Sequence, residues 1–279
     1  MIKRLACLVT AFLAITTPVA SEELPLWEIK AGGFGFYGTD YPASGNYRFN
    51  GLAYPTLTYR GDTLRIGGSS AAKLVPFRNP RFELGVSLDA AFAADSDGNP
   101  IRDGMPDLGL ITEFGPELVI KGPRRAAGTP QESAIDFALQ ARAVFSYQKD
   151  DGIDHRGFII EPTVKYRKGF ASGSRFRATF GPVFATEGLQ DYYYQVDPTF
   201  ARAGRPPFDA KGGYLGTEAT FGLTVPVTDR LNVWGGGGVG LYSGAKNKNS
   251  PLFEDDLTSY VYLGASFKLF QSKRRAHLR

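Results

Sequence analysis

The 279-residue chain is 43% hydrophobic, carries a formal charge of +4 and has a single cysteine. The positive excess sits at the two ends. Setting aside the two charges of Lys3 and Arg4 and the four of Lys273, Arg274, Arg275 and Arg279 leaves −2 for the body. This excludes a nucleic-acid footprint spread over a domain, and one cysteine excludes a disulfide framework.

The chain opens with MIKRLACLVTAFLAITTPVA. Two basic residues, an apolar run from Leu5 to Ile15 and small residues ending at Ala20 have the form of a secretory signal peptide. Residues 1–20 are therefore expected to be removed, and Cys7 with them. The remainder fits one β-barrel or two ordinary domains. No linker or repeat divides it, and no later apolar run reaches the roughly 18 residues of a transmembrane helix.

The body alternates with a period of two. In RFELGVSLDAAF, Phe82, Leu84, Val86 and Leu88 face one way, and Arg81, Glu83, Ser87 and Asp89 the other. In IDFALQARAVFSY, Ile135, Phe137, Leu139 and Phe145 oppose Asp136, Gln140, Arg142 and Ser146. In RFRATFGPVF, Phe176, Phe180 and Phe184 oppose Arg175, Arg177 and Thr179. Near the end, Val261, Leu263, Phe267 and Leu269 oppose Tyr260, Tyr262, Ser266 and Lys268. Strand-length segments with one apolar face and a charged opposite face predict an all-β fold, a closed antiparallel transmembrane β-barrel with a wet interior. The competing fold, a soluble sandwich, would bury the apolar face inward. Twelve candidate strands are predicted: 26–38, 51–59, 63–70, 80–93, 108–120, 134–147, 157–168, 174–186, 189–196, 212–225, 230–243 and 258–270. Dropping LQDYYYQV would leave an odd count, which single-chain barrels avoid, so ten is the alternative. The expected organisation is a signal peptide over 1–20, a barrel over 21–270 and a basic tail over 271–279.

The segment DSDGNPIRDGMPDLG, 95–109, stands out for its Asp, Gly and Pro content. It resembles the most recognisable motif of the MipA/OmpV family of outer-membrane proteins. YPASGNYRFNGLAYPTLTYRGD (41–62), FGPEL (114–118), DYYYQV (191–196) and GAKNKNSPLFEDD (244–256) resemble other landmarks of that family in order. The resemblance implies an outer-membrane barrel without enzymatic activity, in Gram-negative bacteria. It also implies murein-processing enzymes as partners by analogy with a scaffold member, or an adhesin or surface antigen by analogy with others. QSKRRAHLR departs from the aromatic ending usual in such barrels.

The spacing Asp95, Asp97, Asn99 imitates the start of a calcium loop, but Pro100 and Pro106 occupy the places of the turn glycine and the bidentate glutamate. Turn chemistry is the simpler reading. Counting twelve strands with both ends periplasmic puts the short segments 59–63 and 226–230 inside and 244–257 outside. The same count puts 95–107 on the periplasmic side, where it is unusually long. Asp95, Asp97, Asn99, Arg102, Asp103 and Met105 are therefore candidates for a partner surface, with Pro106 and Asp107 structural.

No nucleophile elbow, zinc motif, phosphate loop or Cys/His cluster is present, so no catalytic residue, metal or cofactor is expected. The two histidines, His155 and His277, fall in a polar turn and in the tail. Gly235–Gly238 lies in a strand pattern and reads as close packing. Glu83, Asp89, Glu113, Glu117, Asp136 and Glu161 are expected to point into the lumen, as are Arg142, Lys165, Arg167, Arg175 and Arg177. They would fill it with salt bridges or, alternatively, line a narrow path for ions or small solutes. The lipid bilayer of the outer membrane is the one certain partner of such a barrel.

Overall fold

A computed structural model describes residues 24–67, 71–91, 93–94, 96–127, 129–148 and 152–276. The signal-peptide segment and His277 lie outside the described residues. Twelve strands close into one antiparallel barrel: β1 (Trp27–Thr39), β2 (Tyr47–Arg60), β3 (Leu64–Ile66), β4 (Ala72–Arg78), β5 (Phe82–Ala91), β6 (Leu110–Arg125), β7 (Ser133–Gln148), β8 (Gly152–Gly169), β9 (Arg175–Ala185), β10 (Gly213–Pro226), β11 (Leu231–Leu241) and β12 (Leu257–Gln271). Closure is made by β1, which pairs with β2 from Trp27↔Tyr59 to Thr39↔Tyr47 and with β12 from Glu28↔Gln271 to Tyr37↔Val261. Beyond β12 the ladder continues: Leu26 N–H donates to Arg274 O at 2.9 Å, and Ala276 N–H to Leu24 O at 2.8 Å.

The alternation is inverted relative to a water-soluble protein. In β7, Ile135, Phe137 and Leu139 are exposed, while Ala134, Asp136, Ala138 and Gln140 are buried; Phe137 is 53% exposed and Asp136 4%. In β5, Leu84, Val86 and Leu88 face out, and Glu83 and Ser87 face in. A belt of leucines, valines and phenylalanines runs around the outside, and lipid is the environment that rewards it. The strands close on one another in a ring, as lipid requires because it cannot hydrogen-bond an open edge; the seam is thinnest between β2 and β3, which pair among the described residues only at Tyr59↔Ile66 and Arg60↔Arg65.

Two predicted elements are corrected. The segment 189–196 is not a strand but lies largely in a helix, α1 (Glu187–Tyr194). Its tyrosine run favours strand by propensity, yet Leu189, Gln190 and Tyr194 are buried against neighbouring loops, and tertiary packing overrides propensity. In exchange, β4 forms where no strand was expected. The predicted 63–70 shrinks to β3, and Ala72–Arg78 pairs with β5 despite Pro76. The register shifts between Leu74 and Phe77, a bulge of the kind that accommodates a residue without an N–H. The total stays at twelve because one strand is lost and one gained.

The exchange flips the side of every connection between the two. Turns 61–63, 79–81, 126–132, 170–174 and 227–230 share the rim that carries the chain ends. Connections 40–46, 92–109, 186–212 and 242–256 share the opposite rim. Short turns mark the periplasmic rim of such barrels and long loops the external one. The segment 95–107 therefore belongs to the external rim, not to the periplasmic side that the sequence count assigned it.

Candidate functional site

At the external rim four loops pack into a single cap. Its buried apolar residues include Tyr41, Leu108, Leu189, Tyr194, Val196 and Leu252. Polar contacts tie the loops together. Tyr41 OH donates to Leu252 O at 2.7 Å, Tyr194 OH to Pro42 O at 2.8 Å, and Ser250 Oγ to Tyr194 O at 2.8 Å. Asn247 Nδ2 donates to Gln190 Oε1 at 2.9 Å. Burial pushes the phenols of Tyr41, Tyr192 and Tyr194 above the ordinary tyrosine range.

The motif loop is part of this cap. Ser96 starts a 3₁₀ turn (Ser96–Gly98) with its N–H on Asp107 Oδ1 at 2.6 Å and its hydroxyl on Pro106 O at 2.7 Å. Gly104 holds φ +78°, a conformation that favours glycine. Of the predicted partner residues, Asn99 and Arg102 turn inward. Asn99 Nδ2 donates to Asp40 Oδ2 at 3.0 Å. Arg102, 4% exposed, donates to Pro106 O at 3.0 Å and Tyr193 O at 3.3 Å and lies 5.5 Å from the Tyr41 ring centre. Desolvation pulls its guanidinium below the usual value. Asp103 is exposed but pairs with Arg202 at 3.1 Å. Met105 is half-buried against the cap core. Asp97 lies in the 3₁₀ turn, and Asp95 lies outside the described residues. Arg102 and Asn99 thus hold the loop together. Sequence reasoning missed Arg205, which donates to Ile101 O and Asp103 O, each at 2.9 Å, from a loop about a hundred residues away.

Below the cap the lumen has two walls. The charged wall comprises β4 to β9. Lys73 bridges Glu83 at 2.8 Å and Glu117 at 2.6 Å, and Lys165 meets Glu117 at 2.6 Å. Asp136 takes Arg124 at 3.0 Å and Arg167 at 2.8 Å. Arg142 binds Asp89 at 2.7 Å, Glu113 at 3.1 Å and Glu161. Among the described residues Arg175 and Arg177 have neither a hydrogen bond nor an ion pair. Asp89, Glu113 and Glu161 lie toward the cap with Arg142, and Arg124, Arg167, Arg175 and Arg177 toward the periplasmic rim. Most of these side chains line a cavity of about 710 Å³.

The other wall, β10 to β12 with β1 and β2, is aromatic. Six rings form a continuous row in the order Tyr54, Phe34, Trp234, Tyr262, Tyr260 and Phe36, with adjacent centres 5.5 to 6.4 Å apart. They lie over glycine backbone. A Cβ on Gly238 would sit 2.7 Å from the Tyr260 ring, and one on Gly264 2.5 Å from the Trp234 ring. Within Gly235–Gly238, Gly236 and Gly238 therefore bed the rings, while Gly235 and Gly237 face the side of Leu263 and Val261. These rings line a second cavity of about 840 Å³ that shares Ala90, Glu218 and Tyr260 with the first. The signal that could have found them was present: Tyr260 and Tyr262 occupy the inward face of β12, opposite a strand rich in glycine. His155 is not in a turn but in β8, against Phe145 and Phe158 at 5.2 Å each. The described residues hold no cluster of His, Cys, Asp and Glu arranged for a metal.

Among solved structures the chain is similar to the NanC porin, with 12% identity, a TM-score of 0.38, and coverage of 87% of this chain and 100% of that one. It is also similar to outer membrane phospholipase A from Escherichia coli, with 11% identity, a TM-score of 0.36, and coverage of 91% and 94%. The toluene transporter TbuX of Ralstonia pickettii gives 10%, 0.32, and 88% and 89%. No curated protein matches. The model of one family, described as MltA-interacting protein MipA, matches residues 31–269. With most of its length so matched, and with a closed barrel whose apolar face meets lipid, this outer-membrane protein belongs to the MipA family.

Proposed function

We propose that the chain is a non-catalytic envelope interaction protein, exported by its signal peptide, whose partner is a periplasmic murein-processing enzyme. The family description, MltA-interacting protein, motivates the partner class. The observation that carries the reading is the cap: four loops packed over the external mouth, above a lumen crossed by ion pairs, leave the periplasmic rim as the accessible face. That rim is basic. Arg81, Arg125, Lys168, Arg230, Lys273 and Arg274 are all exposed on it, and it suits a partner with an acidic face. The contact surface is accordingly moved from the motif loop to this rim.

The test is a crosslinked pull-down from envelope extracts. Changing Arg81, Arg125 and Arg230 together to Glu should abolish recovery of murein-processing enzymes, while unheated and boiled samples still migrate differently on gels. Recovery unchanged by the triple substitution sinks the reading, and so does extraction of the wild-type protein without detergent. A second reading, a narrow channel, is favoured by the three residues that join the two cavities. Measurable single-channel conductance in planar bilayers, increased by deleting part of 186–212, would support it.

A further inference from the structure

Glu218 projects into the lumen from β10 at the junction of the charged and aromatic cavities. Among the described residues it makes no hydrogen bond and no ion pair. Arg142, which lines the same cavity, is already engaged by Asp89, Glu113 and Glu161. Three carboxyl groups thus share that cation, and Glu218, unmatched, lines the aromatic cavity as well. Its register partner is Gly240, whose missing side chain leaves room for the Tyr242 ring. Glu218 is half-buried, and keeping an unpaired carboxylate ionised there is costly, so it takes up a proton or gains from a cation that binds beside it. Ring faces also attract cations, most strongly where water is scarce.

We propose that the aromatic chamber is a binding site for an organic cation with an apolar body: a quaternary ammonium or protonated amine seated against Glu218, its body lying on Tyr260, Tyr262 and Trp234. The chamber volume of about 840 Å³ suits a small ligand. Two features select this class over a neutral hydrocarbon or an anion. Among the described residues Glu218 is the unpaired charge that lines both cavities, whereas the unpaired Arg177 lines only the charged one, on the side of Tyr262. The site is independent of the interaction role above, which concerns the outer face of the periplasmic rim.

The chain has two tryptophans, and Trp27 begins β1 at the periplasmic rim. Trp27→Phe therefore leaves Trp234 as the reporter within the chamber. The full chain in detergent micelles is titrated with benzyltrimethylammonium and with its neutral isostere neopentylbenzene. The cation should quench Trp234 saturably and bind more tightly than the isostere. Glu218→Gln should weaken the cation by at least about tenfold and leave the isostere within about twofold. Tyr260→Leu, which keeps the carboxylate, should weaken both. Absence of saturable quenching in protein that keeps its gel shift overturns the proposal, as does equal affinity for cation and isostere. If Glu218→Gln fails to fold, the wild-type preference and the Tyr260→Leu result decide.

Discussion

The two walls of the lumen solve one problem in opposite ways. A membrane barrel spends its apolar side chains on lipid, so its interior must be filled by something else. The β4–β9 wall fills it with long charged side chains held in a ladder from Lys73 to Arg167. The wall of β10 to β12, β1 and β2 fills it with rings laid on glycine. The first depends on its carboxylates keeping their cationic partners. The second depends on glycines having no Cβ. One wall is therefore vulnerable to lost groups and the other to added ones.

Removal should hurt the charged wall most. Arg142→Met leaves Asp89, Glu113 and Glu161 facing one another, and should cost about 3–5 kcal/mol, read by urea unfolding in lipid vesicles. A cost near zero would mean that water screens the cluster fully. Next in size is a test of the outside. Leu84→Arg behind the charged wall and Leu263→Arg behind the aromatic wall should each cost about 2–4 kcal/mol near the bilayer midplane. Lipid does not sense what lies inside, so the two should agree, and a clear difference would show that the walls transmit strain outward. Addition should hurt the aromatic wall: Gly238→Val drives a side chain into the Tyr260 ring and should cost about 1–3 kcal/mol. The matching Thr179→Val on the charged wall, measured the same way, should cost less.

The smallest effect concerns the cap, which belongs to neither wall. Its phenols are pushed up by burial. The folded cap therefore disfavours their ionised form, and its stability is complete below the unfolded tyrosine value of about pH 10. It is lost as pH rises through the folded values. At alkaline pH, protease should cut within 186–212 while the barrel keeps its gel shift. Loss of both together would make cap and barrel one cooperative unit.

The barrel was legible because period-two alternation is local: Leu84 and Glu83 declare opposite faces from sequence alone. The inward direction of the lumen charges followed from the same pattern. The strand count was legible only in total. Pro76 hid β4, and three consecutive tyrosines disguised α1, because a helix packed under loops is stabilised by residues far away in sequence. From that one exchange the motif loop was assigned to the wrong rim. The inward turn of Arg102 depends on Tyr41 and Tyr193, and no window around position 102 contains both. Glu218 went unnoticed for a related reason: a carboxylate without a partner is recognisable only when every other partner has been placed.

The joint between β1 and β12 also governs how the molecule comes into being. Glu28 faces Gln271 across it, so the strands that must meet are separated by almost the entire chain. Every other joint links neighbours in sequence and can form early, whereas contacts between distant segments form slowly. Until the last strand is available, β1 and β11 each present an unpaired edge, the kind of template on which chains aggregate. Until β12 reaches β1, this polypeptide is therefore kept from its copies by something other than its own fold.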